Sequence, residues 1–514
     1  MFIDNCLLLI VKGGNKLNYS DFSFWWILLL FSVPFFTVRA IGISQNIWRN
    51  IYDGIGLMSL SMLLFFNASA SSFVVFLFEI IFNYLMVGLM LRRQGAQARL
   101  IATLLIIFDV AVLAYFKYLI FFVEDVIGIV ANIPDNWRQA FVFPLFNPNI
   151  NLVSTRIPPG VSFYTFQMVA FVVDSLKARK KKPIGFIDYI NFVSFFPQIV
   201  AGPIERRTNF FPQIEGFRFK FTVDNFYEAL RWISLGMFFK FVLADNIAPY
   251  INLSSINEPW VNNAWFVWFH AFLFTLRIYF DFAGYSFVAL GLARILGIKL
   301  TVNFLAPYTS QSINEFWQRW HITLSTWFRD YVFIPLMGRN KQWAAFYLFI
   351  TFTISGFWHG AAWNFIIWGA YHGGLLLLLR YLGRPFDRFI GQRMAKPQFI
   401  SWGLTFAAVN LGCLFFMDAD ISRLMVKLKT IITPWAYSPA NLGALFADYS
   451  INQGTALILV LILAIAVLLL EHLAVWQEKF EYELLLSPWV SPALLGLTIL
   501  LAANIPSEFI YFEF

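Results

Sequence analysis

Apolar runs of bilayer-spanning length recur from one end of the chain to the other. A hydrocarbon core about 30 Å thick takes about 20 helical residues to cross. Candidate runs fall near 22–41, 52–68, 72–91, 100–123, 160–176, 186–203, 226–250, 264–296, 343–358, 361–382, 399–417, 455–473 and 490–505. Some, notably 186–203, read as re-entrant or interfacial, so about eleven crossings are expected. Charge content argues the same way. Only 13% of the 514 residues are charged and 59% are hydrophobic, about half the charge a soluble domain carries, so a soluble fold of this size could not cover its exterior. The 62 phenylalanines and 19 tryptophans suit lipid contact and interfacial belts. The expected fold class is an all-α polytopic membrane protein. No period of 20–50 residues marks a solenoid, no inverted halves stand out, and no hydrophilic stretch is long enough to own a core. The chain reads as a single membrane-embedded domain, 1–514.

The net charge of +8 does not point to nucleic acid, because the bases sit in short clusters beside apolar spans. These are Arg92, Arg93 and Arg99; Lys177, Arg179, Lys180, Lys181 and Lys182; and Arg384, Arg388, Arg393 and Lys396. Such clusters mark the cytoplasmic side. The acidic, Pro/Asn-rich segment 124–158 then lies outside, as do 418–453 and the C-terminus. Cys6 and Cys413 are too few and too separate for a disulfide framework or a zinc site. The N-terminus carries no cleavable signal pattern.

Three of the five histidines, His321, His359 and His372, fall within 303–374. Polar groups at membrane depth are costly and point to function. Residues 312–330 read as one helix with Asn314, Trp317 or Gln318, His321 and Ser325 on a polar face. Glu315 and Arg319 form an i, i+4 pair, Arg329 and Asp330 follow, and Pro335 ends or kinks the helix. His359 stands between Gly356 and Gly360, which permit close backbone approach or a break in the helix. In a dry site its imidazole would stay neutral and could take a proton from an attacking hydroxyl. From physics alone, His359 and His321 are each open to a catalytic or a hydrogen-bonded structural reading. His372, thirteen residues beyond His359 and on the opposite face of a continuous helix, reads as structural, as do His270 and His472. No HxxxH or HExxH spacing supports a metal site.

Six blocks in one order carry a resemblance: FKYLIFF (116–122), PPGVSFYTFQ (158–167), FFPQIVAGPIERRTNFFPQ (195–213), FDFAGYS (280–286), NF…PY.S.SI.EFW.RWHI.LS.W.RDY (303–331) and GFWHGA.WNFI.WGA.HG (356–373). Together they resemble the membrane-bound O-acyltransferase (MBOAT) family, in its bacterial polysaccharide branch. The likeness covers about residues 80–375, with 376–514 as additional C-terminal helices. It implies a ring of tilted and short helices around a thin central tunnel that meets at a histidine. By motif the principal catalytic position falls on His359 and the second on His321. Asp281, Tyr285, Asn314, Trp317, Arg319, Trp320, Ser325, Arg329, Asp330 and Trp358 fall on positions that shape or line the tunnel.

The same resemblance implies transfer of an acyl group, foremost acetyl, from a cytoplasmic thioester such as acetyl-CoA to hydroxyls of an extracytoplasmic polysaccharide, across the inner membrane. No cofactor is expected to stay bound. The chain holds no serine-hydrolase domain, so a relay to the polymer would need an extracytoplasmic SGNH-type partner. Two rivals remain at this level. One is D-alanyl transfer from a carrier protein to teichoic acid; the other is a transporter or flippase of an activated acyl group or lipid-linked sugar.

Overall fold

In the computed structural model the described residues are 21–42, 46–128, 158–178, 182–199, 202–251, 262–339, 341–393, 397–443 and 449–503, with Tyr19, Leu445, Ser507 and 509–510. The expected external segment therefore falls largely outside them, as do Cys6, Arg179, Lys180, Lys181 and Lys396. The described chain is helical, and it divides into two compact units, 1–229 with 292–301, and 230–291 with 302–514.

The first unit contains α1 (Phe22–Gly42), α2 (Asn46–Ala68), α3 (Ala70–Leu91), α4 (Gly95–Phe121), α5 (Val161–Lys177), α6 (Phe186–Ser194) and α7 (Arg207–Ile214). Helix α5 is its centre, buried at every position from Val161 to Val172. Gly160 starts it with a left-handed φ of 71°, a conformation glycine adopts without cost. Two fully buried acids sit on the spans beside it. Tyr164 donates a 2.9 Å hydrogen bond to Glu79, and the Asn83 amide donates one of 2.7 Å to Asp109. Within the expected run 186–203, residues 186–194 form a short helix, α6, and 196–199 form turns.

Helix α8 (Val223–Met237) leads into the second unit, which continues with most of α9 (Ala264–Ile295), then α10 (Ile313–Arg319), α11 (Ile322–Phe328), α12 (Ala344–His359), α13 (Trp363–Arg393), α14 (Pro397–Met417), α15 (Ile421–Ile431), α16 (Ile451–Trp476) and α17 (Val490–Leu501). Close helix approaches organise it. An added Cβ at Gly284 would lie 2.8 Å from the Gly236 carbonyl oxygen, so only hydrogens fit there. Helix α16 shows the membrane pattern well. Leu457, Val460, Ala464, Val467, Glu471 and Ala474 are buried at steps of three and four, while Ile458, Ile462, Ile465 and Leu469 stay exposed. A helix apolar on both faces, one packed and one bare, suits lipid rather than water.

Among the described residues seven helices are long and apolar enough to cross a bilayer: 22–41, 49–68, 72–91, 95–119, 264–295, 398–417 and 451–476. All seven fall on expected runs. Others are shorter or more polar: α12 has 16 residues, about 24 Å of helix, and α17 has 12.

The single helix expected over 312–330 is two. Trp320 is extended and His321 adopts a left-handed φ of 43°. The reason lies in segment 303–305, which takes over the backbone partners: Leu305 N–H donates to the Arg319 carbonyl and Ile322 N–H to the Asn303 carbonyl. Beyond α11 the chain widens into a π-helical turn at Arg329–Phe333 and continues through Pro335 to Met337. Gly338, with φ 52°, ends the helix where Pro335 was expected to.

Candidate active site

Helices α12 and α13 form a tight hairpin. An added Cβ at Gly356 would lie 2.2 Å from the Phe365 carbonyl oxygen, and one at Gly369 would lie 3.0 Å from Gly356 Cα. His359 is the last residue of α12, and the chain reverses at Gly360 before α13 begins at Trp363. The return brings Trp368 and His372 back alongside. The Trp368 ring stands 5.0 Å from the His359 ring and 4.9 Å from the His372 ring.

Both imidazoles line one cavity of about 20 Å³, room for about one water molecule. Its other walls come from Tyr308, Phe316 and Trp320 on one side, from Val409, Cys413 and Phe416 on α14, and from Ile278 on α9. The lining is mostly aromatic and apolar. His359 and His372 are 4% and 2% exposed, so neither faces lipid. The Tyr308 hydroxyl is directed away, donating to the Thr275 carbonyl at 2.5 Å. Against expectation, then, His372 shares the space of His359. Its assignment to an opposite face presumed one continuous helix, and the reversal at Gly360 removes that premise.

His321 is built differently. Its Nδ1 lies 3.1 Å from Asn303 Oδ1, an atom that also accepts from the Thr323 amide at 3.2 Å and the Thr323 hydroxyl at 2.9 Å. Because that atom accepts from a backbone N–H it is the amide oxygen, so His321 Nδ1 carries the proton and Nε2 the lone pair. The ring packs edge-on against Phe282 at 4.6 Å and near Trp358 at 6.4 Å. Trp358 also touches His359, at 5.0 Å, and thus links the two histidines; His321 itself does not line the cavity.

Of the remaining candidates, Trp320 lines the cavity and Trp317 packs against His372 at 5.0 Å. The structure does not bring the others there. Asp281 is part of a buried ion cluster, 2.7 Å from Lys240 Nζ, which also meets Asp245 at 2.8 Å. Asp281 accepts a further bond from the Ile510 N–H, so this cluster fastens the C-terminal segment. Tyr285 stacks near Phe509 at 4.0 Å. Asn314 is exposed. Arg319 bridges Glu315 and Glu481, both at 3.0 Å, which agrees with the i, i+4 pair read from sequence. Ser325 turns back onto the Trp320 carbonyl, and Arg329 pairs with its neighbour Asp330. Sequence reasoning missed Trp368, Cys413 and Phe416; the glycines flanking Trp358–His359 were the one signal of the turn that gathers them. Among the described residues no three histidine, cysteine or carboxylate side chains converge as a metal site requires.

The family model "MBOAT, membrane-bound O-acyltransferase family" matches residues 15–417. The chain is 34% identical over 393 residues to "Probable alginate O-acetylase AlgI" of Pseudomonas aeruginosa, covering 75% of this chain and 70% of that protein. It is 32% identical over 384 residues to "Peptidoglycan O-acetyltransferase" of Helicobacter pylori, covering 69% of each. "Teichoic acid D-alanyltransferase" of Bacillus subtilis is 32% identical over 242 residues, 45% of this chain and 60% of that protein.

Proposed function

Because the chain belongs to the membrane-bound O-acyltransferase family, and is therefore a multi-pass membrane acyltransferase, we propose that it moves an acetyl group from a cytoplasmic thioester to hydroxyls of an extracytoplasmic polysaccharide, with His359 as the general base. The observation that supports this reading is that His359 lines a buried, largely aromatic cavity, on the motif that the resemblance marks as catalytic. A neutral imidazole takes the acceptor's hydroxyl proton as the oxygen attacks the thioester carbon. The carbon–sulfur bond breaks, the leaving sulfur receives that proton, and the products are an ester and a thiol. General-base help of this kind is worth about 10²–10⁴ in rate, and exclusion of water strengthens every polar contact around the reacting atoms.

The cavity holds a reacting oxygen and not a whole donor, so the surrounding side chains part to admit substrate. His321, fixed by Asn303 with its lone pair on Nε2, buttresses Trp358 and so positions His359. The protein lies in the inner membrane, takes acetyl-CoA as donor, and passes the acyl group to the polymer directly or through an extracytoplasmic SGNH-type partner. Two relatives named for O-acetylation support an acetyl over an aminoacyl group, being matched over more of this chain than the D-alanyltransferase.

The test is mass analysis of surface polysaccharide from cells with and without the protein. The expected result is loss of acetyl esters on an unchanged polymer backbone. Unaltered esters contradict the proposal, and loss of D-alanyl esters in their place would reassign the donor. Loss of the polymer itself would favour a transporter.

A further inference from the structure

We propose that His372 is a second catalytic residue, one that donates a ring N–H hydrogen bond to the carbonyl oxygen of the acyl donor while His359 takes the hydroxyl proton. This inference rests on the acyl-transfer reading above.

The hairpin makes it possible. An atom placed in the 20 Å³ cavity has both imidazoles as wall, which is the arrangement a base and an oxyanion donor need around one reacting carbon. The His372 ring is held from several sides. Trp317 packs edge-on at 89° and 5.0 Å, and Trp368 and Tyr371 stand 4.9 and 5.2 Å away. A Cβ added at Gly412 would lie 2.6 Å from His372 Nε2, so α14 approaches the ring to within the space of one methyl group. A donor fixed in this way needs no reorganisation when charge develops, which is where such a group gains its effect.

His372 also has capacity to spare. Its Nδ1 is fully buried and carries no hydrogen bond among the described residues, although buried polar atoms are nearly always paired. The competing groups are committed elsewhere: His321 Nδ1 to Asn303, and the Tyr308 hydroxyl to Thr275. The second catalytic position, which the resemblance put on His321, passes to His372. During the reaction the carbonyl π pair moves onto oxygen, where the His372 N–H holds it. It returns as the carbon–sulfur bond breaks, and His372 keeps its proton throughout.

The experiment pairs polymer ester analysis with isotope-edited infrared spectra of the full chain in lipid nanodiscs loaded with carbonyl-¹³C acetyl-CoA. In cells, His372→Phe is expected to lower ester content to a hundredth or less, since losing one oxyanion donor costs about 10²–10³ in rate. In the spectra, a His359→Gln protein is expected to show the donor carbonyl at lower frequency than a His359→Gln/His372→Phe protein, a shift that a packing role would not produce. Should His372→Phe fail to accumulate, Gly412→Ala decides, because its methyl displaces the ring and is expected to cut ester content at least tenfold. Wild-type ester levels in either variant, or identical carbonyl bands, overturn the role of His372 alone. A wild-type cell without esters overturns the acyl-transfer reading and this role with it.

Discussion

One amide oxygen does the work of a hinge pin in the second unit. Asn303 Oδ1 accepts from His321 Nδ1, from the Thr323 amide and from the Thr323 hydroxyl, and so holds the left-handed turn at His321. Asn303→Ala removes the acceptor that these three donors share. At about 1–3 kcal/mol for an unsatisfied buried group, the variant should lose its folded, monodisperse state in detergent several degrees below wild type; an unchanged melting profile would show that the turn holds without Asn303. Sequence spacing found Arg319 and Glu315 as partners because both lie on one helical turn. It did not find the break at Trp320–His321, since the groups that cause it lie more than a dozen residues earlier in the chain. His372 escaped for a related reason: its face was counted along a helix that ends at Gly360.

At the scale of elements, two joints bear the site. The first is the α12–α13 hairpin. Gly356→Ala would place a methyl 2.2 Å from the Phe365 carbonyl oxygen, so the helices must separate. Overpacking of this kind costs about 1–3 kcal/mol, and it should also move His359 away from Trp368. The expected outcome is a protein that inserts normally yet acylates at least tenfold less, read by ester content at matched membrane levels. The second joint follows α14, where buried Asp418 accepts from Arg423 and from Lys427 at 2.9 and 2.6 Å and so docks α15 against Val267, Ala271 and Leu414. Burial alone would push the Asp418 carboxyl up, but the bonds from Arg423 and Lys427 outweigh it and hold it below the usual aspartate value. A depressed carboxyl stabilises fully above its unfolded pKa, about 3.9, and loses that contribution as pH falls through the folded value. Asp418→Ala removes the carboxylate to which buried Lys427 donates, and breaking a buried pair from one side costs about 3–5 kcal/mol. Thermal unfolding should separate the variant from wild type at pH 7 and bring them together as pH falls below about 4; a constant gap would contradict the clamp.

For the whole molecule, the bilayer was the most legible feature. Apolar runs, scarce charge and abundant phenylalanine pointed to a polytopic helical protein. Seven described helices and a family match over residues 15–417 agree. Less legible were the helices that build the site. Helix α12 is short, and α10 and α11 are shorter still; their positions depend on glycine contacts and side-chain hydrogen bonds that apolar patterning does not record. Of the residues picked by motif, His359 and Trp320 line the buried cavity and Trp317 and Trp358 pack beside its histidines, while others lie elsewhere. Asp281 serves an ion cluster, and Arg319 bridges two carboxylates. The central claim is that the imidazole of His359 performs the acyl transfer. It is tested most directly by measuring O-acetyl ester on surface polysaccharide from cells carrying His359→Gln at wild-type membrane levels. The account predicts no more ester than in cells lacking the protein, and ester at the wild-type level would contradict it.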